Sequence, residues 1–129
     1  MTTLTSHQAL VIALCDWIEN HLDSGIALPE LAAISGFSVW YMQNVFRATT
    51  GIAVGRYIRE RKLTEAVYRL RTTEQRVLDI ALDFGFSSQS QFTTLFKKYF
   101  GITPQMCRQD CGIILPLTAP LTVRNLRVA

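Results

Sequence analysis

The sequence predicts an all-α fold of about seven helices, in which two helix-turn-helix subdomains are joined by a long linker helix. Apolar residues recur at helical spacing, and no long stretch alternates apolar and polar residues as a half-buried strand would. The motif Gly-Phe-Ser occurs at residues 36–38 and again at 85–87, each time after a short helical pattern. A repeat of this kind in a helical sequence indicates two related units.

Residues that begin or end helices divide this pattern into seven segments. Pro29 suits the first turn of a helix, and Ser38 is a preferred N-cap. Gly36, Gly51 and Gly101 each stand where a helix ends. The predicted helices cover about residues 7–23, 29–35, 39–49, 54–71, 74–84 and 88–99, and a short seventh begins at Thr103-Pro104. The candidate N-caps of the later helices are Thr72 or Thr73 for the fifth, and Ser87 or Ser88 for the sixth.

Both copies of the repeat carry the residues that a helix-turn-helix needs. Two short helices that cross steeply require a small residue at the crossing and a permissive residue in the turn. Ala32 and Gly36 supply them in the first copy. Ala81 and Gly85 supply them in the second, 49 positions later. The predicted organisation is a helix-turn-helix subdomain at 1–53, a linker helix at 54–72, a second subdomain at 73–110 and an extended, proline-interrupted tail at 111–129.

The third and sixth helices each have an outward face that contains hardly any acid. The face of the third helix holds Trp40, Gln43, Asn44 and Arg47, and that of the sixth holds Gln89, Ser90, Thr93, Thr94 and Lys97. An ordinary solvent-facing helix mixes Glu and Lys, whereas amides, hydroxyls and a few cations suit base edges and phosphates. A large ring outside the core, Trp40, indicates a surface that becomes covered. The alternative is that Trp40 packs partly into the core and the amides are merely solvated.

Charge is distributed unevenly, although the net charge is only +3. Residues 1–35 carry four acidic side chains and no Lys or Arg, whereas residues 36–73 carry seven basic and two acidic side chains. A basic middle indicates a polyanionic partner, although a solvated helix face would also explain the charge alone.

The predicted linker helix has a length suited to DNA. Its 18 or so residues span about 27 Å, and successive major grooves on one side of B-DNA lie about 34 Å apart. DNA bending can absorb that difference. The basic residues of this helix are Arg56, Arg59, Arg61 and Lys62. They can reach phosphates or pair on the helix surface, because Glu65 lies four residues after Arg61 and four before Arg69.

Residues spread over about 7–110 match a known pattern. They are Trp17-Ile18-Glu19, Gly36-Phe37-Ser38-x-Trp40, Gln43, Phe46, Gly51, Tyr57-Ile58-Arg59-x-Arg61-Lys62-Leu63, Ile80-Ala81, Gly85-Phe86, Gln89, Phe92, Phe96-Lys97, Phe100 and Gly101-x-Thr103-Pro104. On these residues the chain resembles the AraC/XylS family of bacterial transcription regulators, and most of all the short, stand-alone members of its MarA/SoxS/Rob group. The resemblance implies a monomer that inserts two helices, about 39–49 and 88–99, into adjacent major grooves of bent promoter DNA. It also implies activation through RNA polymerase, typically the C-terminal domain of its α subunit, at stress-response genes.

The resemblance also implies site residues. The expected base-contacting residues are Trp40, Gln43, Asn44, Gln89, Ser90, Thr93 and Thr94. The expected backbone-contacting residues are Ser38, Arg47, Arg59, Lys62, Ser88, Lys97 and Thr103. Asn44 and Thr94 stand where relatives commonly carry Arg, Ser90 replaces a common Gln, and Val39 replaces a common Lys. Such losses weaken DNA binding or change the preferred site.

Other classes of protein find little support. The chain contains only two histidines, His7 and His21, and no phosphate loop, so an enzyme is not expected. Three cysteines are too few for a disulfide scaffold, and Cys107-x3-Cys111 is a weak metal signal, so no cofactor is expected. No apolar run approaches the roughly 18 residues that cross a bilayer, and a cytoplasmic, nucleoid-associated protein is expected. Longer members of the resembled family carry a ligand-binding domain, and at this length none, and no small-molecule inducer, is expected.

The main alternative keeps the fold and changes the function. Because cations are missing from the expected DNA-facing positions, the chain could instead be a protein-interaction module. A repressor or anti-activator of the same fold that binds DNA weakly is the other form of this alternative.

Overall fold

The computed structural model describes residues 4–128, apart from the side chains of residues 124, 127 and 128. Its described part is all-helical, which confirms the predicted fold class. The helices are α1 (Ser6–Asn20), α2 (Leu28–Ser35), α3 (Val39–Thr50), α4 (Val54–Thr72), α5 (Val77–Asp83), α6 (Gln89–Phe100), α7 (Pro104–Gln109) and α8 (Val123–Val128). No helix in this part of the chain is long and apolar enough to span a membrane.

The chain divides into two compact units. Within the described residues, the first unit comprises residues 4–21, 26–59 and 120–128, and the second comprises 22–25 and 60–119. Helix α4 therefore contributes its first six residues to the first unit and the others to the second. The subdomain limits at 1–53, 54–72 and 73–110 remain predictions.

The core of the first unit forms where α1, α2 and α3 pack on the beginning of α4. Ile18 of α1 and Phe46 of α3 are fully buried. The ring of Phe46 lies 5.6 Å from that of Tyr57 in α4, measured between centroids. The other buried apolar residues include Val11, Leu14, Cys15, Leu31, Ala32, Met42, Val45, Val54 and Ile58. The apolar spacing of α1 and α3 fixes which face of each helix packs inward.

The core of the second unit is a row of phenylalanines. The centroid of Phe92 lies 5.2 Å from that of Phe86 and 5.6 Å from that of Phe96. Phe100 continues the row, 4.7 Å from Phe96. The buried aliphatic residues around it include Leu63, Ala66, Val67, Leu70, Ile80 and Ala81. As predicted, α6 thus buries one aromatic stripe and leaves its polar face outside.

Glycine is required at Gly85 for two physical reasons. Its φ of +79° lies in the left-handed region that side chains with a Cβ disfavour. A Cβ placed there would also meet backbone atoms of Ser24 and Gly25 at 2.9 Å. In the first copy Gly36 has a similar φ, +78°, but open space around its Cβ position. The two turns of the repeat therefore share a conformation and differ in crowding.

The predicted cap of α5 is wrong. That helix begins at Val77 after Arg76, whose side chain makes no capping hydrogen bond. The hydroxyl of Thr72 donates to the carbonyl of Tyr68 at 2.6 Å, and that of Thr73 donates to the carbonyl of Arg69 at 2.7 Å. Both threonines therefore lie at the end of α4, and α5 begins four or five residues later, too far along the chain for either of them to be its N-cap.

The extended tail predicted for residues 111–129 needs a correction. Residues 113–122 lie outside regular secondary structure, but α8 follows them. Its start is set by Thr122, whose hydroxyl accepts from the amide of Asn125 and whose carbonyl accepts from that of Leu126. Leu126 is buried, so a short helix forms where one apolar side chain can pack and a threonine can cap. A segment of six residues is too short for its period to be read from the sequence.

Candidate nucleic-acid interface

Helix α3 presents the polar face that its spacing predicted. Trp40 is 71% exposed, while Met42 and Phe46 are fully buried on the other side of the same helix. Gln43 is half-buried and Arg47 is exposed. A tryptophan this exposed offers a large apolar area, and covering it by another molecule is favourable.

Asn44 also lies on this face, but its side chain is partly engaged. Its amide nitrogen donates to the carbonyl of Trp40 at 2.7 Å, which is one helical turn back. The amide oxygen of Asn44 remains the group with which this residue can accept a hydrogen bond from a base. Asn44 therefore differs from the arginine common in relatives, because it presents an acceptor on a short side chain.

Helix α6 presents the equivalent face in the second unit. Gln89, Ser90 and Thr94 are exposed, as is Lys97, and Thr93 is half-buried. Gln91, by contrast, is used locally, because its side-chain oxygen accepts from both the amide and the hydroxyl of Ser87, at 2.8 and 2.9 Å.

A cleft lies beside each polar face, at the start of the following helix. The first, of about 370 Å³, is lined by Leu28, Gln43, Asn44, Arg47, Ala53, Val54, Gly55, Arg56 and Arg59. The second, of about 250 Å³, is lined by Val77, Gln89, Thr93, Thr103, Pro104 and Gln105. The repeat relates the two linings, because Gln43 corresponds to Thr93 and Ala53 to Thr103 at an offset of 50.

The two clefts differ strongly in charge. Three arginines line the first, at positions 47, 56 and 59, whereas the second is lined without a charged residue. Lys97 supplies a cation elsewhere on the exposed face of α6. Attraction for a phosphate backbone is therefore much stronger at the first cleft. Arg56 was predicted to be able to reach phosphates but was not among the expected backbone-contacting residues. Because Arg56 lies three residues before Arg59, the two side chains are neighbours on α4, and this spacing could have placed Arg56 among those residues.

Three hydroxyl residues predicted to contact the backbone cap helices of their own units. Ser38 accepts from the amide of Tyr41 at 3.1 Å, and Ser88 accepts from that of Gln91 at 3.0 Å. Thr103 does the same for Met106 at 3.2 Å. A hydroxyl that accepts one hydrogen bond still carries a proton that it can donate to a phosphate oxygen.

The structure contradicts the prediction that Lys62 contacts the DNA backbone. It is 7% exposed, and its ammonium donates to the carbonyls of Ser24 at 2.7 Å and Phe84 at 2.8 Å. Burial lowers the pKa of Lys62, and the nearby charge of Asp23 opposes that effect. A buried ammonium engaged by two carbonyls cannot reach a DNA phosphate, so Lys62 joins turns within the second unit.

Two other arginines of α4 also have structural partners. Arg61 is 1% exposed and pairs with Glu65 at 2.7 Å, as the i, i+4 spacing predicted. Arg69 pairs with Asp83 at 2.8 Å, where the sequence suggested Glu65. The cations of α4 thus fall into an exposed group near its start and a structural group further along.

No metal site is evident among residues 4–128. Groups of three His, Cys, Asp or Glu side chains close enough to hold an ion do not occur in this described range. Of the three cysteines, Cys15 and Cys107 are buried and Cys111 is exposed.

Comparison with known proteins gives one family. Residues 31–110 match a family described as a helix-turn-helix domain. Over 99 residues the chain is 42% identical to the regulatory protein SoxS of Salmonella typhimurium, which covers 77% of this chain and 92% of SoxS. It is 45% identical over 94 residues to the right origin-binding protein of Escherichia coli K12; this covers 73% of the chain but only 32% of that protein, so the chain spans about a third of its length.

A solved structure of the same fold comes from the DNA-binding domain of AdpA, a global transcriptional factor, in complex with a target DNA. The TM-score is 0.73 at 24% identity, and the match covers 77% of this chain and 89% of that domain. At this identity the likeness concerns the fold.

Proposed function

The chain belongs to the AraC-type family of helix-turn-helix transcriptional regulators and is a DNA-binding protein; from this premise, we propose that it activates promoters by inserting α3 and α6 into adjacent major grooves. One observation carries the proposal. Two acid-poor helix faces occupy equivalent places in the repeat, and each borders a cleft at the start of the next helix. Faces of amides and hydroxyls match the donor and acceptor pattern of base edges.

In this proposal the exposed faces read bases. Trp40 covers thymine methyl groups or sugars, because it offers apolar area without a hydrogen-bonding demand at the ring face. Gln43 and Gln89 can each donate and accept at one base, as adenine requires. Asn44, Ser90, Thr93 and Thr94 complete the set with short polar side chains, which tolerate more than one base.

The first cleft binds the phosphate backbone. Arg47, Arg56 and Arg59 bring three guanidinium groups to it, and α4 begins there with backbone amides that lack intrahelical acceptors. Small residues at 53 and 55 let a phosphate approach those amides closely. Ser38, Ser88, Thr103 and Lys97 are the further backbone contacts, and Lys62 is excluded by its burial.

The partners in this proposal are double-stranded promoter DNA and RNA polymerase, through the C-terminal domain of the α subunit. The protein acts as a monomer, because the repeat already supplies two reading helices in one chain. It acts in the cytoplasm, as its family membership implies. Support for DNA as the partner comes from family membership, and the AdpA domain of the same fold is in complex with its target DNA.

A binding titration on promoter fragments at several salt concentrations tests DNA recognition. We expect specific binding that weakens with salt, and loss of sequence preference in Trp40→Ala and in Gln89→Ala. Tyr68→Ala is the matched control, since Tyr68 is another exposed aromatic residue outside both reading faces. Absence of specific binding at low salt would favour the protein-interaction module instead.

In vitro transcription tests activation separately. RNA polymerase with intact α subunits should give more transcript when the protein is added, and polymerase lacking the α C-terminal domains should not respond. Reduced transcript with intact polymerase would identify a repressor that shares the DNA site.

A further inference from the structure

The segment 113–121 is held against α4 by its main chain. In the second unit, the amide of Thr118 donates to the hydroxyl of Thr64 at 2.8 Å, and the carbonyl of Thr118 accepts from Arg61. Both hydrogen-bonding groups of one peptide residue are therefore bound by side chains one helical turn apart. At the other end of the segment, the carbonyl of Ile113 accepts from Arg71 at 2.7 Å.

In the first unit, the same segment meets α4 through Tyr57. The amide of Leu121 donates to the phenol oxygen of Tyr57 at 2.9 Å. Tyr57 is 1% exposed, so this oxygen lies in the interior and needs such a partner.

The side chains of the segment are covered only in part. Ile114 is 96% exposed, and Leu117 is exposed as well, whereas Ile113, Leu115 and Leu121 are half-buried. The hydrogen bonds from α4 to backbone atoms are therefore accompanied by partial burial of these apolar side chains.

The buried polar side chains of α4 depend on these contacts. Arg61 is 1% exposed and Thr64 is 2% exposed. A guanidinium stays charged at any accessible pH, and burying it without partners is strongly unfavourable. The carboxylate of Glu65 and the carbonyl of Thr118 both accept from it. Removing the segment would leave Arg61 and Thr64 each short of a partner.

The positions of these residues define one side of α4. At about 100° per residue, Tyr57, Arg61, Thr64 and Arg71 fall within one quarter of the helix circumference. Arg56 and Arg59, which line the first cleft, fall on the other side. In the first unit, the hydrogen bond from Leu121 therefore engages α4 at Tyr57, beside Arg56 in the sequence but on a different side of the helix from the two arginines.

We propose that residues 113–121 form a latch that binds α4 through main-chain hydrogen bonds and holds its arginines in the orientation that DNA binding needs. The part of this inference that concerns DNA rests on the proposed function. The latch lies beyond the 31–110 region that matches the family.

Amide hydrogen exchange in the full-length chain tests whether the latch is closed. The Thr118 amide should exchange at least 10-fold more slowly than the Ile114 amide in the wild type, because only the former has a described hydrogen-bond acceptor. Thr64→Val should remove that protection, and Thr64→Ser should retain it because the hydroxyl remains. Ile114→Ala is the control and should leave the exchange of Thr118 unchanged. Equal exchange of Thr118 in the wild type and Thr64→Val overturns the latch.

DNA affinity tests the consequence. Thr64→Val should weaken binding at fixed salt at least fivefold and reduce its salt dependence, since Arg56 and Arg59 would no longer be held in the orientation that binds phosphate. Ile114→Ala should bind like the wild type. A Thr64→Val protein with an exchanging Thr118 amide and unchanged affinity overturns the role in DNA binding. A wild type that binds no DNA overturns the proposed function, while the exchange experiment still decides whether the latch forms.

Discussion

Replacing Lys62 by methionine separates two roles for this residue. The sequence pattern assigns Lys62 to the DNA backbone, whereas the structure buries it with its ammonium on the carbonyls of Ser24 and Phe84. Methionine keeps the length of the side chain and removes its charge and donors. Lys62→Met therefore tests whether the ammonium stabilises the fold or binds phosphate.

The expected loss follows from the two hydrogen bonds. A hydrogen bond from a charged group contributes about 1.5–3 kcal/mol, and its loss leaves a buried carbonyl without a partner. Burying the ammonium is itself unfavourable, as its lowered pKa indicates, and methionine avoids this penalty. That gain offsets part of the loss. We expect a net decrease of about 2–4 kcal/mol in the free energy of unfolding, or roughly 10 °C in Tm for a chain of this size.

Thermal unfolding followed by circular dichroism measures the stability, and a DNA titration against salt measures phosphate contacts. Arg59→Met is the matched control, because Arg59 is an exposed cation on the same helix. That variant should keep its Tm and reduce the salt slope by about 0.9. If Lys62→Met keeps its Tm and loses salt slope instead, the burial argument is refuted.

Three further outcomes are expected. Gly36→Ala should lower the free energy of unfolding by about 1–2 kcal/mol, because of its left-handed backbone alone. Gly85→Ala should lower it more, because its Cβ also meets the backbone of Ser24 and Gly25 at 2.9 Å. Chemical denaturation measures both variants, and equal losses of stability would contradict the crowding argument. Burial raises the pKa of the Cys15 thiol from 9.0 to about 12, so the unfolded chain releases this proton first and stability falls by up to about 1.4 kcal/mol per pH unit above pH 9. When the free energy of unfolding is measured between pH 8 and 11, Cys15→Ala should lack this part of its decrease with pH. If the wild type and Cys15→Ala lose stability in parallel, the raised pKa of Cys15 is excluded. Arg47→Gln should reduce the salt slope of DNA binding by about 0.9 with little change in Tm. An unchanged slope would show that Arg47 does not contact a phosphate.

The helices and the faces of the candidate site were predictable because their signals are local. The exposed position of Trp40 and the burial of Phe92 and Phe96 follow from spacing within one helix. The serine cap of α3 follows from one residue beside the helix start. Each prediction needed only neighbouring positions in the chain.

The remaining features depend on residues far apart in the sequence. Lys62 matches the family pattern for a basic residue, but its partners lie 38 and 22 positions away. The bond between Thr64 and Thr118 joins positions 54 apart. A composition pattern cannot distinguish an exposed cation from a buried one on the same helix, because that difference depends on which segment packs against it.

Recognition through main-chain atoms has an evolutionary consequence for the segment 113–121. Thr64, Arg61 and Tyr57 engage amide and carbonyl groups that every residue except proline possesses in full. At the exposed positions, Ile114 and Leu117 among them, the side chain can therefore change while the contacts stay intact, provided that proline does not replace a donating residue. We expect these exposed positions to vary among relatives, and the side chains of α4 that bind the segment to vary much less.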